Sequence, residues 1–215
     1  MAAPAETVSR DSAESLSVKY ARIRARSLEL AAPLAPEDTV VQSMPDVSPT
    51  KWHLAHVTWF FERFLIQSNM PNYVPFDDSF DFLFNSYYYT AGQMHARPKR
   101  GLLSRPTLAR IVDYRRYVDE HMLDLIEDRQ DDTAFASVVV LGLNHEQQHQ
   151  ELLLTDIKHV LSCNPMLPAY DAGLPVPESQ PVESYAFVAG ATGAHPVGAE
   201  GEGFCFDNET PRHEA

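Results

Sequence analysis

Only two cysteines, Cys163 and Cys205, occur in 215 residues. A disulfide scaffold is therefore not indicated, and a reducing compartment fits better. Positive charge is also scarce: 17 Lys and Arg stand against 30 Asp and Glu, a formal net charge of −13. That balance argues against a nucleic-acid or anionic-membrane partner. The start, Met1-Ala-Ala-Pro-Ala-Glu6, has neither the basic residues nor the apolar stretch of a secretion signal. Without such a signal, Asn208-Glu-Thr210 reads as a chance match to a glycosylation pattern. The longest apolar run, Val138 to Leu143, falls far short of the roughly 20 residues needed to span a bilayer. These absences leave a soluble, cytoplasmic protein. Its 44% hydrophobic content can build a core without cross-links. No internal repeat is present.

What is there is mainly helical. Residues 1–14 are small and polar and read as disordered. Leu16, Tyr20, Ile23, Leu28 and Leu30 recur at helical intervals, predicting a helix from Ser15 to Leu34 that Pro33 and Pro36 end. A short helical turn is expected over Glu37 to Gln42. Ser48-Pro49 has the form of an N-cap followed by proline at the first helical position, opening a second helix to about Ser68. Residues 69–104 form a long connection rich in aromatics, among them Tyr73, Phe76, Phe80, Phe82, Phe84 and Tyr87 to Tyr89. A connection of that length and content reads as an ordered, functional cover rather than disorder. A third helix is predicted from Pro106 to Asp128, and a fourth from an Asp132 or Thr133 cap to about Ser162. The four make a bundle over residues 15–166, with room for a site between facing helices.

Beyond it the composition changes. Residues 167–182 are proline-rich and read as a linker. In residues 183–215, Tyr185-Ala-Phe-Val188 and Phe204-Cys-Phe206 look like strands between glycine-rich turns. Some thirty residues cannot close a β domain, so a truncated, β-rich beginning is expected there.

The fourth helix carries His145-Glu-Gln-Gln-His149. Two histidines four apart lie one above the other on a helix face and can reach one metal ion. A third ligand is needed. His159 lies roughly 15 Å further up the axis. His53 and His56 on the second helix are both candidates, and spacing does not choose between them. Three imidazoles would leave coordination positions open, as a catalytic metal needs. The string also matches the H-E-x-x-H pattern of zinc proteases, which would make Glu146 a general base. The longer form of that pattern is absent, because Leu152 and Thr155 occupy its glycine and histidine positions. Trp52 and Trp59 read as core. The basic cluster Arg97-Pro-Lys-Arg100 is either a solvated loop or an anchor for carboxylates.

Several segments resemble the ergothioneine-biosynthesis sulfoxide synthases. They are Ser48-Pro-Thr-Lys-Trp-His-Leu-Ala-His56, Phe82-Leu-Phe-Asn-Ser-Tyr-Tyr88, Arg97-Pro-Lys-Arg-Gly-Leu-Leu-Ser-Arg-Pro106 and Asn144-His-Glu-Gln-Gln-His-Gln-Glu-Leu-Leu-Leu154. Phe204-Cys-Phe-Asp-Asn-Glu-Thr-Pro-Arg-His213 resembles the opening of their second domain, which has the formylglycine-generating-enzyme, C-type-lectin-like fold. The resemblance implies a DinB-like four-helix bundle holding non-haem iron(II) on His56, His145 and His149. It selects His56 over His53. It implies that Gln148 contacts the imidazole substrate hercynine and that Arg97 and Arg100 contact carboxylates of the thiol. The implied reaction is oxygen-dependent: a cysteine-type thiol, cysteine or γ-glutamylcysteine, is joined to hercynine to give a sulfoxide. Glu146 becomes either a group behind the ligands or a surface carboxylate. The family's catalytic tyrosine belongs to the second domain, so no catalytic residue is expected within these residues, and little activity from them alone. The competing readings are a DinB-like zinc- or nickel-dependent thiol transferase and a non-catalytic helical binding module.

Overall fold

In a computed structural model, residues 14–86, 92–175, 178, 184–201 and 203–215 are described. Residues 1–13, most of the stretch expected to be disordered, lie outside them, as do Tyr87 to Tyr89 and much of the proline-rich linker. The chain divides into two compact units, Met1–Asp171 and Ala172–Ala215.

The first unit is helical. Helix α1 spans Leu16–Ala31, and the Ser15 hydroxyl caps it by accepting from the Val18 N–H. It stops three residues before the sequence suggests, because Pro33 cannot supply the next amide. A single 3₁₀ turn follows at Asp38–Val40. Helix α2, Thr50–Phe61, is buried along its whole length. Such a helix belongs at the centre of a bundle, and α2 packs on α1 and on the two long helices that begin at Leu108 and Thr133. Pro49 occupies the cap position itself rather than the first helical turn. At Glu62–Ile66 the winding loosens to a π turn before one more turn, α3, at Gln67–Asn69. Helices α5, Leu108–Asp128, and α6, Thr133–Cys163, begin at Thr107 and Asp132, whose side chains accept from Arg110 N–H and Phe135 N–H. Such caps contribute about 1 kcal/mol each.

The core runs through all four long helices, from Tyr20 and Ile23 through Trp59 and Phe61 to Tyr114, Val118, Val139 and Leu143. Each large apolar side chain removed from water here contributes about 1.5–3 kcal/mol. Gly142 lets α6 approach α2 closely: a Cβ there would stand 2.7 Å from the Phe61 ring and 2.9 Å from that of Phe60.

The aromatic connection is ordered where described. It contains the short helix α4, Phe80–Phe84, and a 3₁₀ segment, Arg97–Leu102. Phe80 and Phe84 are buried, and Phe76 packs on Tyr114. Glu62, buried in the π turn, accepts from the Tyr73 and Tyr114 hydroxyls and, at 3.1 Å, from the Phe76 N–H. The connection is thereby tied to α2.

The second unit has a small sheet, β1 (Pro196–Val197) antiparallel to β2 (His213–Glu214), with Pro196 opposite Glu214 and Val197 opposite His213. Gly198 enters the following turn at φ 112°, where a Cβ would meet the Arg212 backbone at 3.0 Å. The strands expected at Tyr185–Val188 and Phe204–Phe206 are not strands. Tyr185, Phe187 and Val188 are almost fully exposed, and an extended segment is a strand only when a neighbour takes up its backbone hydrogen bonds. Phe204 and Phe206 instead meet edge to face at 4.8 Å. The sheet carries no argument for a lectin-like fold. No described helix is long and apolar enough to cross a membrane.

Candidate metal centre

Helices α2 and α6 face each other along the bundle, and their histidines meet between them. Ligand-capable atoms of His56, His145 and His149 all lie within 4.8 Å of one another. The ring centroids are 5.0 Å apart for His56 and His145, 4.7 Å for His56 and His149, and 4.6 Å for His145 and His149. His56 is buried and the other two are half-buried, so the cluster is walled on one side and approachable on the other.

The surroundings fix these rings. His56 is flanked by Trp52 and Trp59, stacked at 4.6 and 5.8 Å with interplanar angles of 13° and 17°. Its Nδ1–H donates to the Phe84 carbonyl at 2.6 Å, leaving Nε2 bare. The indoles are held in turn: Trp52 donates to the Leu83 carbonyl and Trp59 to Asp81. Helix α4 thus braces the ring that α2 presents. His145 packs on Phe60 at 5.1 Å, and its buried Nδ1 has no hydrogen-bond partner among the described residues.

Burial holds all three imidazoles neutral. It pulls His145 down to about 4 from 6.5. His56 falls well below its ordinary range through burial and then repulsion from His145, and His149 through burial and then His56 and His53. Neutral imidazoles are what a metal ion requires. The donor set and the orphaned nitrogen of His145 both fit a mononuclear metal centre with open positions.

The remaining candidates fall in different places. His53 stands beside the cluster rather than in it: Nδ1 is 2.9 Å from His149 Nδ1, and Nε2 is 3.0 Å from Asp156 Oδ2. Gln148, between the two α6 histidines in sequence, is exposed. Arg97 is exposed and donates to the Asp46 carbonyl. Arg100 is no solvated loop residue. It is 3% exposed, its guanidinium lies 3.4 Å over the Trp52 ring, and it donates to the Ser48 and Ser86 hydroxyls.

Glu146 is neither a surface carboxylate nor a base on a metal-bound water. It is 0% exposed. It accepts from Arg24 at 2.8 Å, Arg115 at 2.8 Å and the Ser27 hydroxyl at 2.5 Å. Burial alone would raise its carboxyl. The two guanidinium groups and the hydroxyl outweigh burial and hold it at about 2. With both oxygens engaged, the H-E-x-x-H protease reading loses its general base.

Residues 19–153, from α1 well into α6 and including all three clustered histidines, match the DinB superfamily. The chain belongs to the DinB superfamily. A comparison with curated proteins found no match. The two α6 histidines of this DinB domain were legible from their spacing. Asp156 and the Phe84 carbonyl were not, although Asp156 lies seven residues after His149, two turns along the same face. Pairing that interval with His53 was the available signal.

Proposed function

We propose that this DinB domain carries the iron(II) centre of an oxygen-dependent enzyme of ergothioneine biosynthesis. It would join a cysteine-type thiol, cysteine or γ-glutamylcysteine, to hercynine with formation of a sulfoxide. The observation that carries the reading is the convergence of three neutral imidazoles, from two facing helices, with one side open. The segments around His56, His145 and Phe204, which resemble the sulfoxide synthases, support the finer assignment. The grouping of His56, the histidine that resemblance selects, with His145 and His149 also supports it. A lectin-like second domain belongs to the same proposal.

Bound iron would supply a dipositive charge for a thiolate and redox chemistry with oxygen. The protein's own part is to hold the site and admit substrates. The Trp52–His56–Trp59 stack and the Phe84 carbonyl fix one ligand, and the α6 backbone fixes the other two. Gln148, exposed next to His149, is suited to hydrogen-bond a substrate imidazole. Arg97 is suited to meet a carboxylate at the surface. Arg100 adds a fixed positive charge behind Trp52 that favours an anionic substrate without direct contact.

The test is metal analysis and turnover of the natural protein purified without a histidine tag. One equivalent of iron(II) is expected, with little sulfoxide by mass spectrometry when these residues alone are supplied with hercynine, thiol and air; robust product would overturn the assignment of the catalytic tyrosine to a second domain. Tightly held zinc or nickel with thiol transfer and no oxygen consumption would replace the reading with a thiol transferase. No metal at all would leave a binding module. His56→Ala and His149→Ala are each expected to abolish stoichiometric binding, whereas His53→Ala is expected to retain one equivalent at saturating metal.

A further inference from the structure

We infer that His53 is a positioning residue: with Asp156 it fixes which nitrogen of His149 carries the proton, and so presents Nε2 of His149 as the ligating atom. The inference rests on the metal reading above but stands on separate atoms.

Asp156 Oδ2 already accepts from the Ser48 N–H at 2.8 Å. His53 Nε2 is 3.0 Å from the same oxygen. A carboxylate only accepts, so His53 carries its proton on Nε2. An imidazole with one proton then has a bare Nδ1. That atom is 2.9 Å from His149 Nδ1, so His149 must be the donor. Its proton sits on Nδ1, and its lone pair sits on Nε2. His53 is buried, which keeps water from competing for either bond. His56 is arranged the same way by different means: the Phe84 carbonyl takes its Nδ1–H and leaves Nε2 bare.

Ligating histidines commonly donate their second N–H to a carboxylate or a carbonyl, which orients the ring and strengthens it as a donor. Here the carboxylate acts through an intervening imidazole. Asp156 and His149 lie two turns apart on α6, too far for direct contact at that spacing, and His53 from α2 bridges them. The bridge also ties α2 to α6 beside the centre.

Two variants separate this role from simple packing. His53→Gln keeps an acceptor for His149 and a donor for Asp156. His53→Leu keeps volume and removes both. Nitrogen-detected NMR of the metal-free protein should show His149 as the Nδ1–H tautomer in the unaltered protein and in His53→Gln, with that preference lost in His53→Leu. Titration with zinc or cobalt(II) should show unchanged stoichiometry, but affinity weakened by about 10–100-fold in His53→Leu and restored in His53→Gln. Asp156→Asn should weaken binding in the same direction, and it decides the point if His53→Leu fails to fold. An Nε2–H tautomer of His149 in the unaltered protein overturns the inference, as does equal affinity in His53→Leu. If the unaltered protein binds neither ion, the metal reading fails, and the tautomer measurement still decides whether His53 sets the proton.

Discussion

Glu146 follows His145 directly, yet the two side chains leave α6 in different directions and do different work. The histidine joins a cluster that faces outward on one side. The glutamate is sealed among Arg24, Arg115 and Ser27. Removing one partner of a buried ion pair leaves an uncompensated charge and costs about 3–5 kcal/mol. Glu146→Gln should therefore lower the unfolding free energy read from denaturant melts by an amount in that range. Folded variant protein should still bind one equivalent of metal. Lost binding with unchanged stability would show instead that Glu146 serves the site. At this scale the sequence was half legible. The four-residue interval announced His145 and His149. The direction of Glu146 was hidden, because its partners lie 122 and 31 positions away. Arg100 misled for a similar reason: a basic cluster in a loop looks solvated until Trp52, Ser48 and Ser86 are seen to enclose it.

The helices were legible because caps, prolines and apolar intervals act locally. Thr107 and Asp132 mark starts, and Pro33 and Asn164 mark ends, within a few residues of where they were expected. The π turn at Glu62 was not legible, and neither were the bonds its carboxylate accepts from Tyr73 and Tyr114. Nor was the failure of Tyr185–Val188 to form a strand, since alternation says nothing about a partner. Close approach of elements gives a sharper test. Gly142→Ala would gain about 1 kcal/mol of intrinsic helix preference. It would also drive a methyl group into the Phe60 and Phe61 rings, whose contacts of 2.9 and 2.7 Å leave no room. Overpacking of this kind costs about 1–3 kcal/mol, so the net effect should be a lower melting temperature. A higher one would mean that α6 and α2 separate easily.

For the molecule as a whole, acid should act in two stages. His145 titrates at about 4 when folded against 6.5 ordinarily. Between those values the unfolded chain takes up a proton that the folded one refuses, so stability falls as pH falls, by about 1.4 kcal/mol per unit at most from this group. Glu146, held at about 2 against 4.5, stays ionised while its unfolded counterpart protonates. Its contribution is complete above 4.5 and disappears as pH drops toward 2. Thermal melts from pH 7 to 3 should show a decline beginning near 6.5 and continuing below 4.5. Glu146→Gln should keep the first stage and lose its share of the second; an identical acid limb in the variant would count against this assignment. The same buried cluster bears on how the bundle opens. Arg24 and Ser27 come from α1, Thr58 from α2, Arg115 and Asp119 from α5 and Glu146 from α6, joined by hydrogen bonds at 3.1 Å or less. Departure of any one of these helices breaks a hydrogen bond made by a buried charged group on another. Slowly exchanging amides at the centres of α1, α2, α5 and α6 should therefore report one shared opening free energy, with no helix peeling away by itself.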